Sequence, residues 1–207
     1  MNMRQVALAG ALLTLVFLAH ASGRFTQIGG AQFAPSIGIY TLMALLLAPQ
    51  LSWGPLVGIG LAVGILTMLA TSSPFPPANI PGHGLAFLLA CAMAKAAARR
   101  GRDYSLGTMI GILAVTLVVS WTLFATATWF GLAGGGPMAR SFERFGVQFG
   151  QGLLAWWLFG FIGVAIPSFI IGLILLPLLY RAVAPALVRY GMLPTRGDIT
   201  VPSSASS

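Results

Sequence analysis

The sequence predicts an all-α, polytopic membrane protein built as a bundle of six transmembrane helices, and three observations carry that expectation. The chain of 207 residues is 57% hydrophobic and only 7% charged, whereas a soluble domain carries about 25% charged residues. Its apolar stretches are continuous rather than alternating, which selects helices over a closed barrel as the way to satisfy backbone hydrogen bonds in lipid. Its basic residues gather at the ends of those stretches, as topology requires, and form no clustered face for phosphate. Despite a net charge of +8, nucleic acid is therefore not an expected partner; the lipid bilayer is.

The six apolar segments are Val6 to Ala21, Pro35 to Ala48, Leu56 to Ala70, Leu85 to Ala98, Leu106 to Leu132 and Leu153 to Tyr180, with a tail over 181–207. At ~1.5 Å per residue the second, third and fourth cover about 21 to 24 Å, short of a ~30 Å hydrocarbon core, so a recessed surface is expected beside them. They form one membrane domain over residues 1–207, without an internal repeat or a soluble module. With both termini cytoplasmic, the inner side carries Arg4, Lys95, Arg99, Arg100, Arg102, Arg181, Arg189 and Arg196, and the outer side Arg24, Arg140 and Arg144. That asymmetry obeys the positive-inside rule for a multi-pass protein of the cell membrane. A competing reading takes Arg4, the apolar run to Leu18 and Ala19-His20-Ala21 as a cleavable signal peptide, which leaves five spans.

Three acidic residues, Asp103, Glu143 and Asp198, serve the whole chain, and none falls inside an apolar segment. An ion-driven carrier normally keeps an Asp, a Glu or paired His within the bilayer, so energy is expected from elsewhere. The chain has no phosphate loop, HExxH, paired Cys motif or GxSxG elbow, and no enzymatic activity, cofactor or metal is expected. Cys91 is the single cysteine, and His20 and His83 are the only histidines.

Small residues recur at four-residue spacing in Ala7 and Ala11, in Gly54, Gly58, Gly60 and Gly64, and in Gly107 and Gly111. Such faces let helices approach closely in lipid; internal packing is the ordinary reading, and for Ala7 and Ala11 an external partner is a second one. The segment from Ser72 to Gly84 holds four prolines with Asn79 and His83, which predicts either a stiff outer loop with two polar fingers or a structured turn between helices. Phe142, Phe145 and Phe149 beside Arg140, Glu143 and Arg144 predict a short amphipathic helix on the outer surface, an interfacial anchor or a lid.

Ala7-x-x-x-Ala11, Ala34-Pro35, Ala48-Pro49, Gly64-Ile65-Leu66-Thr67 with Thr71, the proline-rich segment and Ala86-Phe87 together resemble the tryptophan transport proteins. Those are similar to the substrate-binding S components of energy-coupling factor transporters. The resemblance covers Val6 to Ala98 and, more thinly, the last helix. It implies a six-helix bundle that captures a small solute from outside and depends on a transmembrane coupling protein and ATPase subunits, with Ala7 and Ala11 as the coupling contact. The proline-rich segment departs from the family in lacking a charged residue where an acidic-basic pair is expected. An aromatic, weakly polar solute such as tryptophan would then stack on Trp129 or Trp156 and be oriented by Gln32, Asn79 and His83. Its carboxylate would pair with Arg140 or Arg144, and its ammonium with Glu143. A non-transporting membrane scaffold and a stand-alone facilitator are the alternatives.

Overall fold

Asn2 starts the first helix with a reciprocal cap: its side chain accepts the Gln5 N–H at 2.9 Å while the Gln5 side chain accepts the Asn2 N–H. Two otherwise orphaned donors are thereby satisfied. The structure, a computed structural model, describes residues 1–23, 25–28, 31–73, 75–99, 104–132 and 152–191. Helix α1 spans Met3–Ser22 and is followed by a minimal antiparallel hairpin, β1 Gln27–Ile28 and β2 Ala31–Gln32. Then come α2 Ser36–Leu47, α3 Trp53–Ala70, α4 Ala86–Arg99 and α5 Leu106–Leu132; α6 Leu153–Gly160 and α7 Ile166–Arg189 are the last helices among the described residues.

Five helical stretches are long and apolar enough to cross a membrane: Met3–Ser22, Trp53–Ala70, Pro76–Arg99, Leu106–Gly131 and Leu153–Arg189. Outward stripes at four-residue spacing, Val57, Leu61, Ile65 and Leu69 on α3 and Ile162, Ile166, Ile170, Ile174 and Leu178 along the last helix, expose large aliphatic side chains. Bands of this size are liabilities in water and suit hydrocarbon.

The second apolar segment behaves differently. All twelve residues of α2 are buried, and α1, α4, α5 and α7 pack around it. At ~1.5 Å per residue it is about 18 Å long, too short to cross a ~30 Å core. The expectation that the third and fourth segments would be equally short is corrected: α3 begins at Trp53, and the fourth helical stretch begins at Pro76.

That early start also corrects the reading of the proline-rich segment as a loop. A 3₁₀ turn over Pro76–Ala78 and a π turn over Ile80–Leu85 run directly into α4. Pro76, Pro77 and Pro81 sit in the first positions of their turns, where a missing N–H leaves no hydrogen bond unmade and the fixed φ suits a helix. The π turn also widens the helix enough to bring glycines against α3. A Cβ on Gly84 would stand 2.9 Å from the Gly60 carbonyl oxygen, and one on Gly64 would stand 2.9 Å from the Ile80 Cα. Gly60 and Gly64 thus serve internal packing, whereas Gly54, Gly58 and Gly111 have nothing within 4 Å of an added Cβ. Ala7, Gly10 and Ala11 likewise lie on an exposed face of α1.

The chain ends of the bundle meet at one pole. Arg4 Nη1 donates to the Tyr190 carbonyl at 3.0 Å, joining the start of α1 to the end of α7. At the same pole Lys95 donates to the Leu51 carbonyl and lies 5.7 Å from the Trp53 ring centroid.

The crossing of α3 with the π turn generates a stability prediction. Gly64→Ala should lower stability by about 1–3 kcal/mol, because the added methyl meets backbone that cannot swing aside. Gly58→Ala, with open space, should be neutral or up to about 1 kcal/mol stabilising. Thermal unfolding of the two purified variants checks the contrast, and equal melting temperatures would refute the close crossing.

Candidate functional site

At the pole opposite Arg4 and Tyr190, the C-terminal end of α1, the N-terminal end of α2 and the first turns before α4 converge with α5, α6 and α7 on a cavity of about 140 Å³. Ala34, Ser36 and Ile37, where α2 begins, are among its lining residues. One wall is aromatic. Trp121 and Phe124 of α5 lie with ring centroids 5.6 Å apart, and Trp121 and Trp156 of α6 5.9 Å apart, all three lining the cavity.

The indole nitrogens of that wall are already engaged. Trp121 donates to the Trp157 carbonyl at 2.9 Å, Trp156 to the Ala125 carbonyl at 3.1 Å, and Trp157 to Thr122 Oγ1 at 3.1 Å. The bonds stitch α5 to α6 and leave ring faces, rather than N–H groups, to meet a bound molecule. Gly160 makes the arrangement possible, since a Cβ there would collide with the Trp121 ring.

The facing wall is polar. His20 Nδ1 lies 3.1 Å from Ser36 Oγ, and His83 Nδ1 lies 3.2 Å from Ser120 Oγ and 3.4 Å from the Tyr40 hydroxyl. Tyr40 donates to Ser120 Oγ at 3.2 Å, which leaves the Ser120 hydroxyl hydrogen available to an unprotonated His83 Nδ1. The His20 and His83 rings meet edge to face with centroids 5.0 Å apart. Ser168 of α7 accepts the Ala34 N–H at 3.0 Å and completes the polar rim.

Asn79 is the most informative residue of the site. It is 1% exposed and lines the cavity. Its Nδ2 donates to the Pro76 carbonyl at 2.8 Å. Flipping the amide would set oxygen against oxygen, so Oδ1 is the atom left over. Three buried side-chain oxygens, on Asn79, Thr116 and Thr128, have no hydrogen-bond partner among the described residues; Asn79 alone of these lines the cavity. A buried acceptor without a donor costs about 1–3 kcal/mol, so Oδ1 keeps the capacity to accept a further hydrogen bond.

Among the residues expected from sequence to contact a solute, Asn79, His83 and Trp156 come together here. Trp129 does not line the cavity: it packs half-buried against the core near the end of α5. Trp121, two turns earlier, occupies the place expected of it. Gln32 is described only through its backbone, paired with Gln27 in the hairpin. Arg140, Glu143 and Arg144, with the amphipathic segment around them, lie outside the described residues. No Asp, Glu, Lys or Arg is among the described lining residues. His20, Tyr40, Ser36, Ser120 and Ser168 are the contributors that sequence reasoning missed; polar residues inside otherwise apolar segments were the available signal. Comparisons with protein-family models, curated proteins and solved structures gave no match.

Proposed function

We propose that this chain is the solute-capturing subunit of a membrane transporter, taking up tryptophan or a related small aromatic solute with energy from a separate ATPase module. The observation that carries the reading is the pairing, in one cavity, of an aromatic wall with Asn79, whose buried Oδ1 has no hydrogen-bond partner among the described residues. Sites for small molecules combine apolar walls with a few convergent polar groups. An apolar cavity of about 150 Å³ admits benzene, so a cavity of about 140 Å³ suits the ring end of an aromatic amino acid. The indole N–H is a donor of the kind Oδ1 requires, and the amino-acid end would remain at the mouth beside the exposed Ser72.

In this reading the short buried α2 completes a six-helix bundle of the S-component type, both termini are cytoplasmic, and the cavity opens outward. The exposed Ala7–Gly10–Ala11 face of α1 is then the docking surface for the transmembrane coupling protein, because small side chains let backbones approach closely.

Three outcomes follow. In calorimetry with L-tryptophan and with indole, Trp121→Ala and Asn79→Ala should each weaken binding about threefold to tenfold, the worth of one stacked ring or one hydrogen bond. Asn79→Ala should leave the melting temperature of the ligand-free protein unchanged or raised, since it removes an unsatisfied acceptor along with one bond. Wild-type affinity in both folded variants would remove the cavity as the solute site, and saturable binding to neither ligand would favour a scaffold.

A cysteine placed at Ser72 should react with an impermeant thiol reagent added to intact cells, and one placed at Arg189 should not; the buried Cys91 supplies little background. The reverse labelling would invert the topology. Bulky replacement of Ala7 and Ala11 should abolish co-purification with the ATPase module while sparing tryptophan binding. Co-purification at wild-type yield would move the docking surface elsewhere.

A further inference from the structure

We infer that the buried start of α2 is an anion site, and that the solute it receives is a compact aromatic acid, a benzoate whose ring carries an amino or hydroxyl group. The inference rests on the solute reading given above and narrows the chemical class of that solute.

Helix α2 begins without a side-chain cap. Pro35 stands in the N-cap position, and the first bond into the turn runs from the Ile39 N–H to the Pro35 carbonyl at 3.3 Å. The N–H groups of Ser36, Ile37 and Gly38 therefore meet no acceptor among the described residues. An exposed helix leaves such donors to water. Here all three residues are buried, Ser36 at 1% and Ile37 at 4% exposure. The N–H bonds of a helix point toward its N-terminal end, so these donors face the space where α2 begins, and Ser36 and Ile37 line the cavity there. A helix N-terminus carries roughly half a positive charge, and burial spares it from screening by salt.

Ser168 adds a donor to this set. Its Oγ accepts the Ala34 N–H at 3.0 Å, which holds the hydroxyl beside the start of α2. Thr41 and Thr67 return their hydroxyls to carbonyls of their own helices. The Ser168 hydrogen has no such acceptor among the described residues, although the residue is buried and lines the cavity. Backbone N–H groups at a helix start together with a hydroxyl are the donors that a carboxylate takes, and bonds to an ionised acceptor are the strong ones.

Asn79 points to a ligand independently. It lines the same cavity, and its buried Oδ1 has no hydrogen-bond partner among the described residues. An amide oxygen repels a carboxylate and accepts from an N–H or O–H, so the two features engage different groups of one molecule. Trp121, Phe124 and Trp156 supply the surface for its ring. In tryptophan the carboxylate stands on a flexible arm; in a benzoate it is fixed to the ring and enters the cavity with it.

Calorimetry on the purified full chain in detergent tests the assignment, with benzoate, the aminobenzoates, the matching aminobenzamides, aniline, indole and L-tryptophan as probes. The best aminobenzoate should bind about tenfold or more tighter than its amide, which keeps the shape and loses the charge. It should exceed benzoate about threefold to tenfold, the worth of one hydrogen bond to Asn79. Asn79→Ala should erase the second difference and spare the first. Ser168→Ala should weaken the acids and leave indole affinity unchanged. In protein labelled with ¹⁵N-isoleucine, the Ile37 amide signal, identified by its loss in Ile37→Val, should move further with an aminobenzoate than with the matching amide.

Equal affinity for acid and amide in the wild type would overturn the anion site without recourse to any variant. So would acid binding that leaves the Ile37 amide unmoved, which would put the carboxylate elsewhere. Benzoate binding as tightly as every aminobenzoate would overturn the ring donor and its bond to Asn79. Binding of indole but of no acid would overturn this inference and leave the solute reading standing, whereas binding of no probe at all would remove both.

Discussion

The complete burial of α2 is the constraint on which the other features depend. A helix about 18 Å long is too short to cross a bilayer, and neighbours that are long and apolar enough to do so enclose it. Enclosure requires apolar or internally satisfied side chains on every side, and Ser36–Leu47 meets that demand: Thr41 returns its hydroxyl to the Ile37 carbonyl at 2.7 Å, and Tyr40 spends its hydroxyl on Ser120. Where α2 begins there is no more helix to fill the centre of the bundle, and the cavity occupies that space. Its depth is thus a consequence of helix length rather than of any loop.

Close packing around this centre is obtained with glycine. Gly38 lets α2 approach Gly172 of α7, Gly60 and Gly64 admit the π turn, and Gly160 accepts the Trp121 ring. In hydrocarbon no hydrophobic force drives helices together, so the dispersion gained by such close contact is a principal stabilising term. The three tryptophan N–H bonds between α5 and α6 add direction to it. The aromatic wall is rigid for the same reason that it is apolar: its polar atoms are already committed.

The polar wall is the complement. Its groups are hydroxyls and imidazoles that can reverse their hydrogen bonds, and it includes an amide oxygen with none among the described residues. One face of the cavity is thereby fixed in shape and the other adaptable in hydrogen bonding. The proposed solute capture uses both faces.

The sequence by itself determined where most helices lie, because an apolar environment is selected residue by residue: the apolar runs match α1, α2, α3 and α5 to within a few residues, while the last run, drawn from Leu153 to Tyr180 with a tail from residue 181, is corrected by a helix that continues nine residues further to Arg189. It determined too that no acidic side chain sits within those runs. Asn79 and His83 were legible as polar residues in an unusual setting. Tertiary structure decided the rest. An apolar run looks the same whether lipid or protein surrounds it, so the interior place of α2 could not be read from composition. Trp121 and Trp129 occupy one helix with similar neighbours, and only the position of α6 decides which ring reaches the cavity. The prolines read as helix breakers because their cost depends on position, and only the fold puts them in first turns. His20 and His83 look like isolated histidines along the chain; the packing of α1 against the bundle makes them a pair, since a contact between distant residues is a property of neither alone.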